Sequence, residues 1–310
     1  EPLLKRLGAT LTRHPAGEDG HAAIELSGWM PAGHYEIDGS QSSQFASGML
    51  LALAHAADAG GLPAPSVLTV TGPIVSRPYL DMTIGYLRTM GTEVQEGPEG
   101  VFALRPSAVP SAETLPMPGD WSQAAVLLCI NAMGGGVMLR GMALGENDSQ
   151  GDAQVLEILR RMGLRLYMTR GELYAVSPSH AGLMPAVIDC ANIPDLAPIL
   201  ALTCTHARGR SVLKGVSRLR IKECDRLAAT CELLAQLGVK TEVSQDGDSL
   251  AVCGPARLHG GFQADARGDH RMAMFVAAAA LLCREPITLT GWESVSKSWP
   301  AFWDTYRALG

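Results

Sequence analysis

The stretch that decides the fold is residues 193–238, which hold one full strand and helix layout. It begins with the polar turn Ile193-Pro194-Asp195, continues into an apolar helix and reaches a short strand that ends at Gly215. A second helix is expected to start within Arg220-Ile221-Lys222-Glu223-Cys224-Asp225-Arg226 and to close at Leu237-Gly238. Apolar helices alternating with short strands are typical of an α/β fold.

The same layout occurs four times along the chain. The other copies begin at Asp38, Gly119 and Gly268. Equivalent positions lie 79, 72 and 75 residues apart in the order Gln44, Gln123, Asp195 and His270. A period of this kind indicates repeated structural units. The sequence therefore predicts an α/β protein of repeated strand and helix units.

A cluster of prolines between residues 106 and 118 precedes the second copy and suggests a domain boundary. We expect residues 1–118 to be the remainder of an N-terminal domain and residues 119–310 to be a C-terminal domain. Residues 1–8 resemble the end of a closing helix, and residues 9–26 resemble its hairpin. We therefore expect the chain to open part-way through a repeat, with at least half a repeat upstream.

Composition limits the classes of function. Of the 310 residues 47% are hydrophobic, which is enough for a sizeable core, and no apolar run reaches the roughly 18–20 residues of a membrane span. The net charge of −6 argues against nucleic acid or an anionic membrane as the main partner. Seven scattered cysteines without a C-x-x-C pair favour reduced thiols, a cytoplasmic location and no metal site.

Polar turns precede the helices of each copy, and several of them are cationic. Asp120, Asp195, Asp269 and Ser42 or Ser43 stand where N-caps belong, and they could be caps and nothing more. Equivalent helices of a repeat point the same way, so their positive ends could converge on one face. The side chains expected there are Lys222, Arg226, Arg271 and Lys297, with Ser42, Ser43, Gln44 and Ser76 as donors. This pattern predicts a site for a small anionic, phosphorylated ligand.

Two carboxylates, Asp195 and Glu223, share this predicted face and could donate and accept protons. Nearby cations would lower their pKa whereas burial would raise it, so the sequence leaves the two roles open. An alternative is a solvated first helical turn with i,i+3 pairs Lys222/Asp225 and Glu223/Arg226. We expect His270 to be a structural histidine bonded to a neighbouring turn.

The motifs resemble those of the 5-enolpyruvylshikimate-3-phosphate (EPSP) synthase family, in the family's order and with similar gaps. They are Ser42-Ser43-Gln44-Phe45, Ser76-Arg77-Pro78-Tyr79, Ile193-Pro194-Asp195, Arg220–Arg226, Asp269-His270-Arg271-Met272-Ala273-Met274 and Lys297. The resemblance implies a two-domain inside-out α/β barrel of βαβαββ units. It also implies transfer of the enolpyruvyl group of phosphoenolpyruvate to the 5-hydroxyl of shikimate 3-phosphate, with release of phosphate and without a metal or organic cofactor.

The resemblance also implies the roles of individual residues. Asp195 would accept the proton of the attacking hydroxyl, and Glu223 would donate a proton to the methylene carbon. The residues implied to bind shikimate 3-phosphate are Ser42, Ser43, Gln44, Ser76, Asp195 and Lys222. Those implied to bind phosphoenolpyruvate are Gln44, Arg226, Arg271 and Lys297. Glyphosate is a possible inhibitor, and a monomer is expected.

The chain also departs from the family pattern. The family's N-terminal Lys-Ser pair, its Gly-rich Asn-x-Gly-Thr loop and the first strand of its C-terminal domain have no counterpart in the sequence. We therefore expect the 310 residues alone to have little or no transferase activity. Two alternatives stay open, the UDP-N-acetylglucosamine enolpyruvyl transferase of the same fold and a non-catalytic binding paralogue.

Overall fold

The computed structural model describes residues 9–15, 23–28, 30–56, 61, 64–106, 117–142, 150–169, 172–176 and 182–308. It divides into two compact units, Glu1–Pro116 and Met117–Gly310. Their assignment as the remainder of an N-terminal domain and a C-terminal domain stays a prediction. The helix end expected at residues 1–8 and most of the proline cluster lie outside the described residues.

The first unit contains a hairpin and one four-stranded sheet with two helices. Its elements are β1 (Thr10–His14), β2 (Ala23–Ser27), β3 (His34–Asp38), α1 (Ser43–Leu53), β4 (Ser66–Thr71), α2 (Arg77–Thr89), β5 (Glu93–Glu96) and β6 (Val101–Arg105). The sheet has the order β3-β4-β6-β5, with β3 and β4 parallel and the other pairs antiparallel. Alternation along β4 places Leu68 and Val70 in the core, where they join Leu50, Leu80 and Phe102.

The second unit contains the remaining copies. Its elements are α3 (Trp121–Ala132), β7 (Met138–Arg140), α4 (Val155–Arg161), β8 (Arg165–Thr169), β9 (Glu172–Val176), β10 (Val187–Asp189), α5 (Ala197–Cys204), β11 (Gly209–Lys214), α6 (Arg226–Gln236), β12 (Thr241–Val243), β13 (Ser249–Gly254), β14 (Gln263–Asp265), α7 (His270–Ala280), β15 (Thr288–Thr290) and α8 (Phe302–Arg307). Short 3-10 turns lead into several helices, at Gly151–Gln154, Pro194–Leu196, Ser217–Ile221 and Trp292–Lys297. Among the residues described, no helix has the length and apolar composition that a bilayer crossing requires.

Strand order confirms the repeat. The sheet β10-β11-β13-β12 has the same arrangement as the sheet of the first unit, with its first two strands parallel. Strands β14 and β15 are also parallel, and β7, β9 and β8 form an antiparallel sheet. Similar units built from distant parts of the sequence explain the spacing of roughly 75 residues.

The core of the second unit is formed by α3, α5 and α7, the first helices of their copies. Every residue of α5 is buried, as are nearly all residues of α3 and α7. Helices surrounded by protein need apolar side chains on all faces, so these segments lack an amphipathic stripe. The largest buried side chains include Trp121 and Phe275. Because these helices are buried along their length, charged groups can gather only at the polar turns that precede their N-termini.

Caps fix where the helices begin. The Asp120 carboxylate accepts from the backbone N–H of Ser122 at 2.8 Å, and the Asp269 carboxylate accepts from that of Arg271 at 2.8 Å. Ser42 caps α1, which starts at Ser43, so the prediction of a cap at Ser42 or Ser43 is confirmed for Ser42. The prediction of a cap at Asp195 is wrong, because this residue lies within the turn Pro194–Leu196 and its side chain faces other groups.

The charged stretch Arg220–Arg226 is not a helical turn. A 3-10 turn ends at Ile221, Lys222 is extended, and α6 begins only at Arg226 because the Asp225 side chain caps it through Ala228 N–H at 2.9 Å. Asp225 lies 3.6 Å from Arg220 rather than pairing with Lys222 as the helical alternative predicted, whereas the other predicted pair, Glu223 with Arg226, forms at 2.7 Å. The irregular backbone directs Lys222 and Glu223 towards the start of α6.

Candidate functional site

Arg226 is the centre of a charged cluster in the second unit. Its side chain is only 1% exposed, and each of its nitrogen atoms donates to a carboxylate. Nε donates to Asp269 Oδ2, Nη1 to Asp195 Oδ1 and Nη2 to Glu223 Oε2, each at 2.7 Å. A guanidinium can be buried at this depth only when it is fully paired. The three carboxylates come from three separate elements, so Arg226 ties these elements together.

Two lysines extend the cluster. Lys222 Nζ lies 3.2 Å from Asp195 Oδ1, and Lys297 Nζ lies 2.6 Å from Glu223 Oε1. Each candidate for proton transfer, Asp195 and Glu223, therefore lies between a lysine and Arg226. Lys222 and Glu223 are consecutive in the extended segment before α6, whereas Lys297 ends the turn Trp292–Lys297 of the next copy.

The pKa values of the two carboxylates show which of the two opposing effects, burial or nearby cations, is larger. Burial alone would raise the pKa of Asp195, but the charges of Lys222, Arg271 and Arg226 hold it well below its ordinary value. Burial would likewise raise the pKa of Glu223, yet the Lys297 hydrogen bond and the Arg226 charge lower it to about 2. The cations therefore outweigh burial at both sites, and both carboxylates are ionised at neutral pH.

Arg271 reaches a different environment. Its Nη1 donates to the backbone carbonyl of Ser122 at 3.2 Å, and its Nη2 donates to the Ser122 hydroxyl. The Nε atom is buried and has no hydrogen-bond partner among the described residues. The next residue of α3, Gln123, donates through Nε2 to the carbonyl of Ser298, beside Lys297, at 2.9 Å. The first turn of α3 thus contacts two segments that carry predicted anion ligands.

Ser122 and Gln123 were missed as site residues at the sequence level. The repeat held a usable signal, because they occupy the positions of Ser43 and Gln44 in the first copy. Both pairs lie in the first turn of a helix, Ser43 and Gln44 in α1 and Ser122 and Gln123 in α3. A matching Ser-Gln pair in two copies could have marked the second as a candidate.

The four candidates of the first unit lie at its two helix starts. Ser42 caps α1 through Gln44 N–H at 3.2 Å, and Ser43 is buried while Gln44 is exposed. Ser76 is buried and adopts a left-handed conformation with φ of 52° directly before α2. The two helices pack together, with Thr83 Oγ1 donating to Ser47 Oγ at 2.9 Å. Binding by these four residues stays a prediction.

His270 and Cys224 border the cluster but suit no reactive role. The Nδ1 atom of His270 is buried without a hydrogen-bond partner among described residues, and the expected bond of His270 to a neighbouring turn stays a prediction. Burial and the charge of Arg271 lower the pKa of His270 to about 4. Burial and Asp269 raise the pKa of the Cys224 thiol to about 11, which disfavours the nucleophilic thiolate. Over the described parts of the chain, no group of three or more His, Cys, Asp and Glu could hold a metal ion.

Sequence relatives share one name. A family model described as EPSP synthase (3-phosphoshikimate 1-carboxyvinyltransferase) matches residues 3–306. The 3-phosphoshikimate 1-carboxyvinyltransferase of Clostridium beijerinckii is 33% identical over 94% of this chain and 65% of the relative. That of Clostridioides difficile is 33% identical over 92% of this chain and 62% of the relative. The chain therefore spans slightly less than two thirds of the length of these relatives.

Solved structures match the fold. An EPSP synthase from Acinetobacter baumannii superposes with a TM-score of 0.71 at 24% identity, covering 100% of this chain and 69% of the other. The enolpyruvyl transferase NikO from Streptomyces tendae gives 0.69 at 20% identity, covering 100% and 70%. These similarities confirm the predicted α/β fold of the enolpyruvyl transferase type. With the family match over residues 3–306 and relatives of the same name, the chain belongs to the EPSP synthase family.

Proposed function

We propose that this chain carries the reaction site of an EPSP synthase, an enzyme of the shikimate pathway of aromatic amino-acid biosynthesis. The reaction transfers the enolpyruvyl group of phosphoenolpyruvate to the 5-hydroxyl of shikimate 3-phosphate and releases phosphate. The observation that carries the proposal is the cluster around Arg226, in which Asp195 and Glu223 each contact one lysine. Family membership and the names of the relatives support the choice of substrates.

The cations differ in how readily they could bind an anion. Arg226 already donates to three carboxylates, so it would bind phosphoenolpyruvate only if some of these bonds rearranged. Lys297 is 57% exposed and has one carboxylate partner, so exchanging that partner for a ligand costs less. Among the described residues, Arg271 donates hydrogen bonds to two neutral oxygens of Ser122. We propose that phosphoenolpyruvate first engages Arg271 and Lys297, with Gln44 as a further ligand, and that Arg226 contributes afterwards.

The family pattern also supports ligands for shikimate 3-phosphate. We propose that Ser42, Ser43, Gln44, Ser76, Lys222 and Asp195 bind it. A carboxylate that stays ionised is what a proton acceptor requires, and the lowered pKa of Asp195 ensures this. Asp195 would thus take the proton of the attacking hydroxyl.

Glu223 is proposed as the proton donor, which requires that its pKa rise when ligands bind. With a pKa of about 2 it is ionised at neutral pH, because Lys297 and Arg226 outweigh the effect of burial. An anion that takes over Lys297 would remove the main lowering contact and bring a like charge close to the carboxylate. Both changes raise the pKa of Glu223, so substrate binding itself would allow this carboxyl to hold a proton.

The test is calorimetric titration of the chain with shikimate 3-phosphate and then with phosphoenolpyruvate, with UDP-N-acetylglucosamine as the competing substrate. We expect both phosphorylated ligands to bind, the UDP-sugar not to bind, and Arg271→Ala to abolish phosphoenolpyruvate binding. If neither phosphorylated ligand bound, or if the UDP-sugar bound more tightly, the proposal would be overturned. Phosphate release in the same samples measures turnover, for which the sequence predicts little or none.

Turnover near that of a complete synthase would overturn the expectation of inactivity. A non-catalytic paralogue would bind both ligands and release no phosphate even when the chain is joined to the N-terminal segment of a full-length relative.

Membership of the EPSP synthase family also supports proposals about inhibition, oligomeric state and location. We expect glyphosate to compete with phosphoenolpyruvate for Arg271 and Lys297, which displacement calorimetry would detect. A monomer in the cytoplasm, acting on small molecules rather than on nucleic acid or membranes, agrees with the net charge of −6 and the seven scattered cysteines. Light scattering after size-exclusion chromatography tests the monomer.

A further inference from the structure

The four cations predicted to bind anions differ in their partners. Lys222, Arg226 and Lys297 each contact at least one carboxylate. Arg271 does not, because among the described residues its partners are the hydroxyl and the backbone carbonyl of Ser122. No carboxylate among the described residues therefore contacts Arg271 directly, although Asp195 lies close enough to interact with its charge. Ser122, which binds the guanidinium group, therefore determines where the charge of Arg271 lies.

Ser122 is itself held firmly. Its backbone N–H donates to the Asp120 carboxylate at 2.8 Å in the cap of α3, which fixes the backbone of the first helical turn. The carbonyl and hydroxyl oxygens of Ser122 accept hydrogen bonds from Nη1 and Nη2 of Arg271. Arg271 lies 149 positions further along the chain. Two contacts to one residue restrict both the position and the rotation of the guanidinium group.

The helix terminus by itself disfavours a neighbouring cation. The N-terminus of a helix carries a partial positive charge, which repels a guanidinium placed beside it. Aspartate at position 122 could attract Arg271, but it would also neutralise the charge that an anion needs. Neutral oxygen acceptors hold the side chain and leave its charge available, so serine suits this position better than an acid does.

We propose that Ser122 is a positioning residue that orients Arg271 towards the anionic ligand. The proposal rests on the proposed function in one respect, that the ligand of Arg271 is phosphoenolpyruvate. Ser122 does not contact the reacting atoms in this account, and it acts through Arg271 alone. Its hydroxyl fixes one end of the guanidinium and its carbonyl fixes the other.

The test compares Ser122→Ala, which removes the hydroxyl, with Ser122→Thr, which keeps it. Ser244→Ala is the matched control, since its hydroxyl also bonds locally, to Asp246 and Ser249, but in the β12–β13 turn. Nitrogen-15 NMR of the arginine side chains measures rotation about the Nε–Cζ bond of Arg271, identified by its loss in Arg271→Lys. Calorimetry of the same proteins measures the affinity for phosphoenolpyruvate.

We expect Ser122→Ala to speed the rotation at least severalfold and to weaken phosphoenolpyruvate binding about tenfold, the effect of losing one hydrogen bond to a charged group. Ser122→Thr and Ser244→Ala should stay within about threefold of the unchanged chain in both measurements. Unchanged rotation in Ser122→Ala, or faster rotation with unchanged affinity, would overturn the proposal. If the unchanged chain binds no phosphoenolpyruvate, the proposed ligand is wrong, and the rotation alone then decides whether Ser122 positions Arg271.

Discussion

Replacing Asp269 by alanine should destabilise the second unit far more than an ordinary cap substitution does. Asp269 is fully buried and performs two tasks with one carboxylate. It accepts from Arg226 Nε at 2.7 Å and Nη2 at 3.2 Å, and it caps α7 through Arg271 N–H at 2.8 Å. Asp269→Ala removes both tasks and leaves a buried guanidinium short of one partner.

The magnitude follows from these two losses. Removing one partner of a buried ion pair costs about 3–5 kcal/mol, and losing a cap costs about 1 kcal/mol. Since Asp195 and Glu223 still contact Arg226, the ion-pair cost should lie near its lower limit, which gives about 4 kcal/mol in total. Asp225→Ala is the matched control, because Asp225 caps α6 at the surface and should cost only about 1 kcal/mol.

Urea unfolding followed by tryptophan fluorescence would measure both variants. Four of the five tryptophans belong to the second unit, so this signal reports mainly on the part that contains the cluster. Asp269→Asn keeps a capping oxygen but removes the charge, and it should fall between the two alanine variants. If Asp269→Ala and Asp225→Ala lowered the free energy of unfolding equally, Asp269 would be a cap only, and the buried ion network would not stabilise the unit.

Three further predictions concern Glu223 and its neighbours. Folding lowers the pKa of Glu223 from 4.5 to about 2, so its stabilising contribution should be complete above about pH 4.5 and disappear towards pH 2. Glu223→Gln should therefore flatten this part of a plot of the urea unfolding midpoint against pH. Lys297→Met should raise the pKa of Glu223, since the Lys297 hydrogen bond is lost while burial remains; carboxyl ¹³C NMR would measure the shift, and an unchanged value would contradict the assigned cause. In the complete enzyme, Glu223→Gln should preserve substrate binding and slow phosphate release by orders of magnitude; an unchanged rate would exclude a proton-transfer role.

Much of the fold could be predicted because the repeat is encoded locally. Strand-ending glycines, caps such as Asp120 and apolar helices recur at fixed intervals, so one copy explains the others. Local sequence signals failed to predict the backbone conformation where tertiary contacts determine it. Nothing adjacent in sequence shows that Asp195 turns from its helix to face Lys222 and Arg226. Likewise, the cap at Asp225 delays the start of α6, which the five charged residues of Arg220–Arg226 alone do not reveal.

The residues of the cluster could be listed from the sequence, but their connections could not. Arg226 was expected to face a ligand, whereas the structure surrounds it with Asp195, Glu223 and Asp269. Whether nearby cations outweigh burial in setting the pKa of a carboxylate depends on distances of a few ångströms. These distances cannot be deduced from spacing in the sequence. The contact between Arg271 and Ser122 spans 149 residues and could be suspected only by comparing copies of the repeat.

The cluster around Arg226 also limits how much negative charge the second unit can accommodate. Lys222, Arg226 and Lys297 pair with the three carboxylates of Asp195, Glu223 and Asp269, and Arg271 lies nearby on Ser122. At neutral pH these seven groups have an excess of one positive charge, while a phosphate monoester alone carries nearly two negative charges. Two phosphorylated molecules bound side by side would therefore exceed the neutralising capacity of these residues. Their simultaneous binding must draw protons or cations from beyond the cluster, so occupancy should depend on ionic strength and on the order of addition.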